Sequence, residues 1–169
     1  TYQKQGGDLG AGKRRIGVIS ERGNADSAAV IDLSLAFRWL EQEAGRSSDA
    51  QAVAARYGDD MLGLIEHAAV ALPAVRQVLA AEHTGHLPSS VAAEPISTQR
   101  EHVQLLAPIP RPVSMRDGYA FRQHVAAARR NRGLDMIPAF DEIPIFYYTS
   151  HLTVVGPGPV RVRPLHLDG

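Results

Sequence analysis

The sequence predicts an α+β protein in two parts: a small mixed α/β N-terminal domain over residues 1–100, and a second, strand-rich domain that opens at 101 and runs to 169. Three observations carry this expectation. Short Ile/Val-rich runs bounded by Gly, Asn, Asp and Ser turns occur near both ends of the chain, alanine-rich segments with helical periodicity fill the middle, and the texture changes after a Gly/Pro/Ser-containing stretch from Gly85 to Thr98.

The elements follow in order. Arg15 to Ser20 and Ala29 to Leu33 read as a small antiparallel strand pair, and Ser34 reads as the cap of an amphipathic helix with Leu35, Trp39 and Leu40 at helical spacing, ended by Gly45. Helical segments are expected over Asp49 to Tyr57 and Asp60 to Leu72, with Gly58 as a stop, and a shorter one after Pro73, which suits a first-turn position. Val103 to Ala107 is an apolar run, and the prolines of Pro108-Ile109-Pro110-Arg111-Pro112 forbid helix there. A further helix is expected from Ser114 or Asp117 to Arg132, with Phe121, Val125 and Ala128 on one stripe and Gly133 as its stop. Ile143 to Tyr148, Thr153 to Val155 and Val160 to Val162 are strand candidates between Gly/Pro turns.

Composition narrows the function. Eighteen Lys and Arg balance 18 Asp and Glu, so no excess positive charge drives phosphate neutralisation, and nucleic acid is not expected as a partner. The longest apolar stretch, about His67 to Ala81, is interrupted by Pro73 and Arg76, well short of the roughly 20 apolar residues that cross a bilayer. No membrane association is expected. Without cysteine there is no disulfide, thiolate zinc site or Cys nucleophile, and Thr1 to Arg15 lacks the apolar centre of a signal peptide. The cytoplasm is the expected location. The chain begins with Thr and stops at Leu167-Asp168-Gly169 after a strand-like run, which reads as a truncated piece of a longer polypeptide.

The segment Asp117-Gly118-Tyr119-Ala120-Phe121-Arg122-Gln123-His124 is the most informative. On a helix that included Asp117, Asp117 and His124 would share a face about 10.5 Å apart along the axis. A carboxylate that holds a hard divalent ion and an imidazole that takes a proton from water form a workable hydrolytic pair. Spacing alone also allows Asp117 to be an ordinary N-cap or first-turn residue, and one carboxylate does not complete a magnesium or calcium shell. His83 and His86 read as surface histidines; Gly7, Gly10 and Gly12 read as a hairpin turn rather than a phosphate loop. Arg111, Arg116, Arg122, Arg129, Arg130 and Arg132 cluster in sequence, and a solvated helix face is the default reading.

The runs Leu105-Leu106-Ala107-Pro108-Ile109-Pro110-Arg111-Pro112, Arg116 to His124, and Ile143-Pro144-Ile145-Phe146-Tyr147-Tyr148 resemble the fumarylacetoacetate hydrolase family, and Val30-Ile31-Asp32-Leu33-Ser34 resembles its small N-terminal domain. The resemblance covers most of the chain and is specific from 105 to 158. It implies a mixed β-roll catalytic domain of the fumarylacetoacetase type and a hydrolase of carbon-carbon bonds in β-diketo acids such as fumarylacetoacetate or an acylpyruvate. It further implies Mg or Ca as cofactor, a homodimer, and a place in aromatic amino-acid catabolism.

Residue by residue, the resemblance makes Asp117 a metal ligand, Tyr119 and Tyr147 substrate-binding tyrosines, His124 the base that activates water, and Arg132 a substrate-binding arginine. Gly118 departs from the aromatic residue that several members carry, which would open the pocket or alter substrate choice. The family's Glu-x-Glu pair, later Asp, lysine and histidine-supporting glutamate would follow beyond residue 169. Isomerases, decarboxylases and hydratases share the scaffold, and a non-catalytic interaction module of the same fold is the alternative reading.

Overall fold

The computed structural model describes residues 1–4, 13–20, 28–160 and 162. Gly7, Gly10 and Gly12, the turn between the first two expected strands, Arg161 within the expected strand Val160 to Val162, and Leu167 to Gly169 lie outside the described residues. The described residues are mixed α+β, with five helices and several small antiparallel sheets. Contacts divide it into two units: Thr1–Pro110, which the chain rejoins at Val155, and Arg111–Val154.

The first unit is built on strands β1 (Tyr2–Lys4), β2 (Gly17–Ser20) and β3 (Ala29–Asp32), helices α1 (Leu33–Glu43), α2 (Ala50–Tyr57), α3 (Met61–Glu66) and α4 (Ala68–Thr84), then β4 (Ser90–Val91), β5 (Glu94–Pro95), β6 (Ser97–Gln99) and β7 (Val103–Leu105). The expected pair β2–β3 is present and antiparallel, with Val18 opposite Ile31 and Ile19 opposite Val30. β6 adds a third strand, with Val30 opposite Thr98. Val30 and Ile31 are adjacent, so they point to opposite faces of the sheet, and both are buried. Val30 meets Tyr2 and Val103 of the β1–β7 ribbon, while Ile31 meets Leu35 and Ala36 of α1 and Val78 of α4. A sheet covered on both sides explains an uninterrupted apolar pair where a half-exposed strand would alternate.

Several expectations are corrected. Asp32, not Ser34, caps α1: its Oδ1 accepts the Leu35 N–H at 3.1 Å. The strand pairing with Gly17 carries through Asp32, so the first helical residue is Leu33. The stretch from Gly85 to Thr98 holds the β4–β5 hairpin, turning through Ala92 and Ala93 at positive φ, and the start of β6. β7 lies past residue 100 yet pairs with β1, Tyr2 opposite Leu105, so the packing break falls after Pro110. Helix α4 runs unbroken through Pro73 and the interruption falls at His67, whose Nδ1 lies 2.8 Å from the Gly63 carbonyl. Pro73 removes one ladder bond near the helix start, while Ala71, Ala74 and Val78 bury the face that holds α4 in place.

Asp49 and Asp60 cap α2 and α3 as their positions suggest. Gly58, the expected stop of α2, has φ +81°, and a Cβ there would lie 2.2 Å from the Gly63 carbonyl carbon. Only glycine lets the α2 end and the α3 start approach so closely. The helical core joins Ile16, Leu33, Phe37, Val53, Tyr57, Leu64, Ala71 and Ala74, with Phe37 and Tyr57 stacked at 4.4 Å between ring centroids.

Glu41 is buried beside that stack, 4% exposed. Its carboxylate accepts two bonds from Arg46, at 2.7 and 2.8 Å, and one from the Tyr57 hydroxyl. The Arg46 hydrogen bonds, aided by Tyr57 and by the charges of Arg46 and Arg56, outweigh burial and bring its pKa from 4.5 down to about 2. A depressed carboxyl pKa stabilises the fold fully above 4.5, and the contribution is lost as pH falls toward about 2. Denaturant unfolding followed across that window is expected to show Glu41→Gln with a weaker acid dependence than the wild type. An unaltered pH dependence would contradict this role.

Candidate active site

The second unit contains β8 (Met115–Gly118), α5 (Arg122–Arg130), a 3-10 turn at Pro138–Asp141, β9 (Phe146–Thr149) and a 3-10 turn at His151–Thr153. The aromatic and β-branched run Phe146-Tyr147-Tyr148-Thr149 suits a strand, and it pairs antiparallel with β8, Asp117 opposite Tyr147 and Gly118 opposite Phe146. The expected helix start at Ser114 or Asp117 is therefore corrected: Asp117 lies on a strand, and α5 begins at Arg122 after Phe121. Asp117 and His124 do not share a helix face, and Asp117 caps no helix. The expected strands are also shorter: Ile143 to Ile145 precede β9, Thr153 ends a 3-10 turn, and Val154 and Val155 are not in a strand.

Strand alternation places Asp117 and Tyr147 on one face of the ribbon. The chain continues extended, with the Tyr119 N–H donating to the Ile145 carbonyl at 3.1 Å. The Tyr119 and Tyr147 hydroxyls are 2.7 Å apart, and the rings meet edge to face at 5.5 Å between centroids. The opposite face carries Arg116, whose guanidinium sits over Phe146 and Tyr148 at 5.3 and 5.2 Å. Gly118 belongs to that opposite face, and a Cβ there would meet nothing within 4 Å. The absence of a side chain at 118 therefore does not open the space beside Tyr147.

Helix α5 supplies the other wall. His124, Val125, Ala128 and Arg129 fall on one helical face, and together with Arg132, Ile137, Tyr119 and Tyr147 they line a cavity of about 290 Å³. Val125 is buried and anchors the helix, whereas Phe121, expected on the same stripe, is 77% exposed. Gly133, at φ +67°, ends the helix as expected: its N–H reaches the Arg130 carbonyl, and the Leu134 N–H reaches that of Arg129. This left-handed turn sends the chain back along the helix. The returning segment is tied down twice, by Arg129 Nε donating to the Asp135 carbonyl and by the Arg122 fork on Asp141 at 2.9 and 3.2 Å.

Four of the five residues singled out from the sequence, Tyr119, His124, Arg132 and Tyr147, thus line one cavity. Asp117 does not line it but sits opposite Tyr147 in the ribbon. The hydrogen bond with Tyr119, then its charge, loss of solvent and the Asp117 carboxylate raise the Tyr147 pKa above the usual phenol value, while Arg132 opposes the shift. Tyr147 is accordingly a neutral hydroxyl near pH 7. Arg129 and Ile137 were not anticipated as wall residues. The arginines do not form one solvated helix face, since Arg116 stacks on aromatic rings, Arg122 pairs with Asp141 and Arg129 holds a carbonyl. His83 and His86 are exposed, and His86 Nδ1 lies 2.9 Å from the Thr84 hydroxyl.

The implied Mg or Ca ion finds a single carboxylate here, Asp117, and among the described residues no group of three or more His, Asp or Glu is arranged to hold a metal. Such an ion needs six or more oxygens, of which Asp117 would supply one carboxylate. Comparison of the chain with protein-family models, with curated proteins and with solved structures finds no match. Among the described residues no helix is long and apolar enough to cross a membrane.

Proposed function

We propose that the cavity between α5 and the β8–β9 ribbon is the substrate pocket of a fumarylacetoacetase-type hydrolase, which cleaves a carbon-carbon bond in a β-diketo acid of the fumarylacetoacetate or acylpyruvate kind. One observation supports this reading above the others: a histidine, an arginine and two hydrogen-bonded tyrosines, picked out by resemblance, border one space of about 290 Å³. A mixed β-roll architecture, a homodimer, a cytoplasmic location and a role in aromatic amino-acid breakdown belong to the same proposal.

The chemistry follows from the side chains. Arg132 offers a planar fork to the substrate carboxylate. One hydroxyl of the Tyr119–Tyr147 pair donates to the other, whose own proton is donated to a diketone oxygen, where negative charge develops during attack. His124 takes a proton from water as the water oxygen attacks the adjacent carbonyl carbon. The carbon-carbon bond then breaks with its electron pair leaving as an enolate, which recovers a proton from the imidazolium. Mg or Ca belongs to the same proposal: Asp117 would be one of its ligands, and the ion would polarise the diketone oxygens.

Acetylpyruvate hydrolysis, followed by loss of the diketone, tests the assignment. Arg132→Gln is expected to raise KM by about 10- to 100-fold, the cost of one charge-assisted bond to a carboxylate, with kcat changed much less. An unaltered KM would remove Arg132 from the substrate site.

A further inference from the structure

A second cavity, of about 220 Å³, lies in the first unit, bordered by Lys13, Arg14, Arg15 and Arg38, by the carboxylates Asp59 and Glu94, and by an apolar wall that includes Leu35, Val53 and Ala54. The hydrolase reading makes no use of it. Four cations converge there in a chain whose total charge is balanced. Like charges drawn around a concavity repel one another and focus a positive potential into it.

Against these four cations the wall sets two carboxylates, Asp59 and Glu94. Glu94 is engaged with Arg15 at 2.8 Å, and Arg15 is also fixed by Asp32 at 2.7 Å. Asp49, whose charge is felt by Arg38, accepts the N–H groups of Gln51 and Ala52. Arg38 itself is held through Nε by the Ser48 carbonyl at 3.0 Å, which steadies the side chain while its two terminal nitrogens have no hydrogen bond among the described residues. Lys13 and Arg14 have no ion pair among the described residues. Because Asp32 rather than Ser34 caps α1, the Ser34 hydroxyl remains at the cavity wall.

We propose that this cavity binds a small organic acid, its carboxylate gripped by Arg14, Arg38 and Lys13 and its carbon chain laid against Leu35, Val53 and Ala54. A guanidinium fork matches a carboxylate in geometry as well as charge. The apolar wall favours an acid with a hydrocarbon body over a bare inorganic anion, and the volume falls below the roughly 300–1,000 Å³ of sites for drug-sized ligands.

The test is a titration of the full chain with butyrate and, separately, with inorganic phosphate at low ionic strength, read by amide chemical shifts and calorimetry. Butyrate is expected to bind saturably, to shift Arg14, Leu35 and Ala54, and to bind more tightly than phosphate. Arg38→Gln and Arg14→Gln are each expected to weaken butyrate about tenfold. Arg14 is exposed and makes no hydrogen bond among the described residues, so its substitution leaves the fold intact and keeps the test decisive. Absence of saturable butyrate binding, equal or tighter binding of phosphate, or an unchanged butyrate affinity in Arg14→Gln would each overturn the proposal.

Discussion

Asp32→Ala is expected to lower the unfolding free energy by about 3–5 kcal/mol, the usual cost of removing one partner of a buried charged pair. Asp32 is 1% exposed and serves three parts of the chain at once. Its Oδ2 accepts the Tyr2 hydroxyl at 2.9 Å and Arg15 Nη1 at 2.7 Å, while its Oδ1 caps α1 through Leu35. Alanine would leave a buried phenol without an acceptor and the helix start without a cap, and would remove one of the two carboxylates that hold Arg15. For a chain of this size the melting temperature should fall by roughly 10 °C. Asp32→Asn keeps one acceptor oxygen, which can serve the cap but not Tyr2 and Arg15 as well, so it is expected to recover only part of the loss. A loss below about 1 kcal/mol in Asp32→Ala would show that the network adds little to stability.

The second large effect is on activity. His124→Ala is expected to reduce acylpyruvate hydrolysis by about 10²- to 10⁴-fold, the range assigned to a positioned general base. His124 is exposed and its ring makes no hydrogen bond among the described residues, so the variant should unfold at the wild-type denaturant concentration. Loss of turnover with unchanged stability separates a chemical role from a packing one. Turnover equal to the wild type would remove His124 from the reaction.

These two residues show where local pattern is informative and where it is not. Helix stops were legible: Gly45, Gly58 and Gly133 follow α1, α2 and α5, because termination is decided within a few residues of chain. The choice between Asp32 and Ser34 was not local. Both can cap, and the outcome follows from strand pairing that continues through Asp32 and from a tyrosine 30 positions away. β1, β6 and β7 are three residues each, too short to display a period, and β1 finds its partner about a hundred residues later.

At the candidate site, residue identities were more legible than their arrangement. A spacing of seven between Asp117 and His124 suits one helix face, yet the ribbon with Phe146 to Thr149 takes Asp117 into a strand. Val125 and Ala128 were visible through helical spacing. Ile137 carried no signal, since it reaches the cavity only after the turn at Gly133 and the Arg122–Asp141 pair bring its segment back.

The central claim is that Tyr119, His124, Arg132 and Tyr147 act as one site for a β-diketo acid. Its most direct test is an amide and side-chain NMR titration of the whole chain with acetylpyruvate. The account predicts saturable shifts centred on these four residues and on Arg129 and Ile137 beside them. Shifts confined to other surfaces, or none at saturating acetylpyruvate, would contradict it.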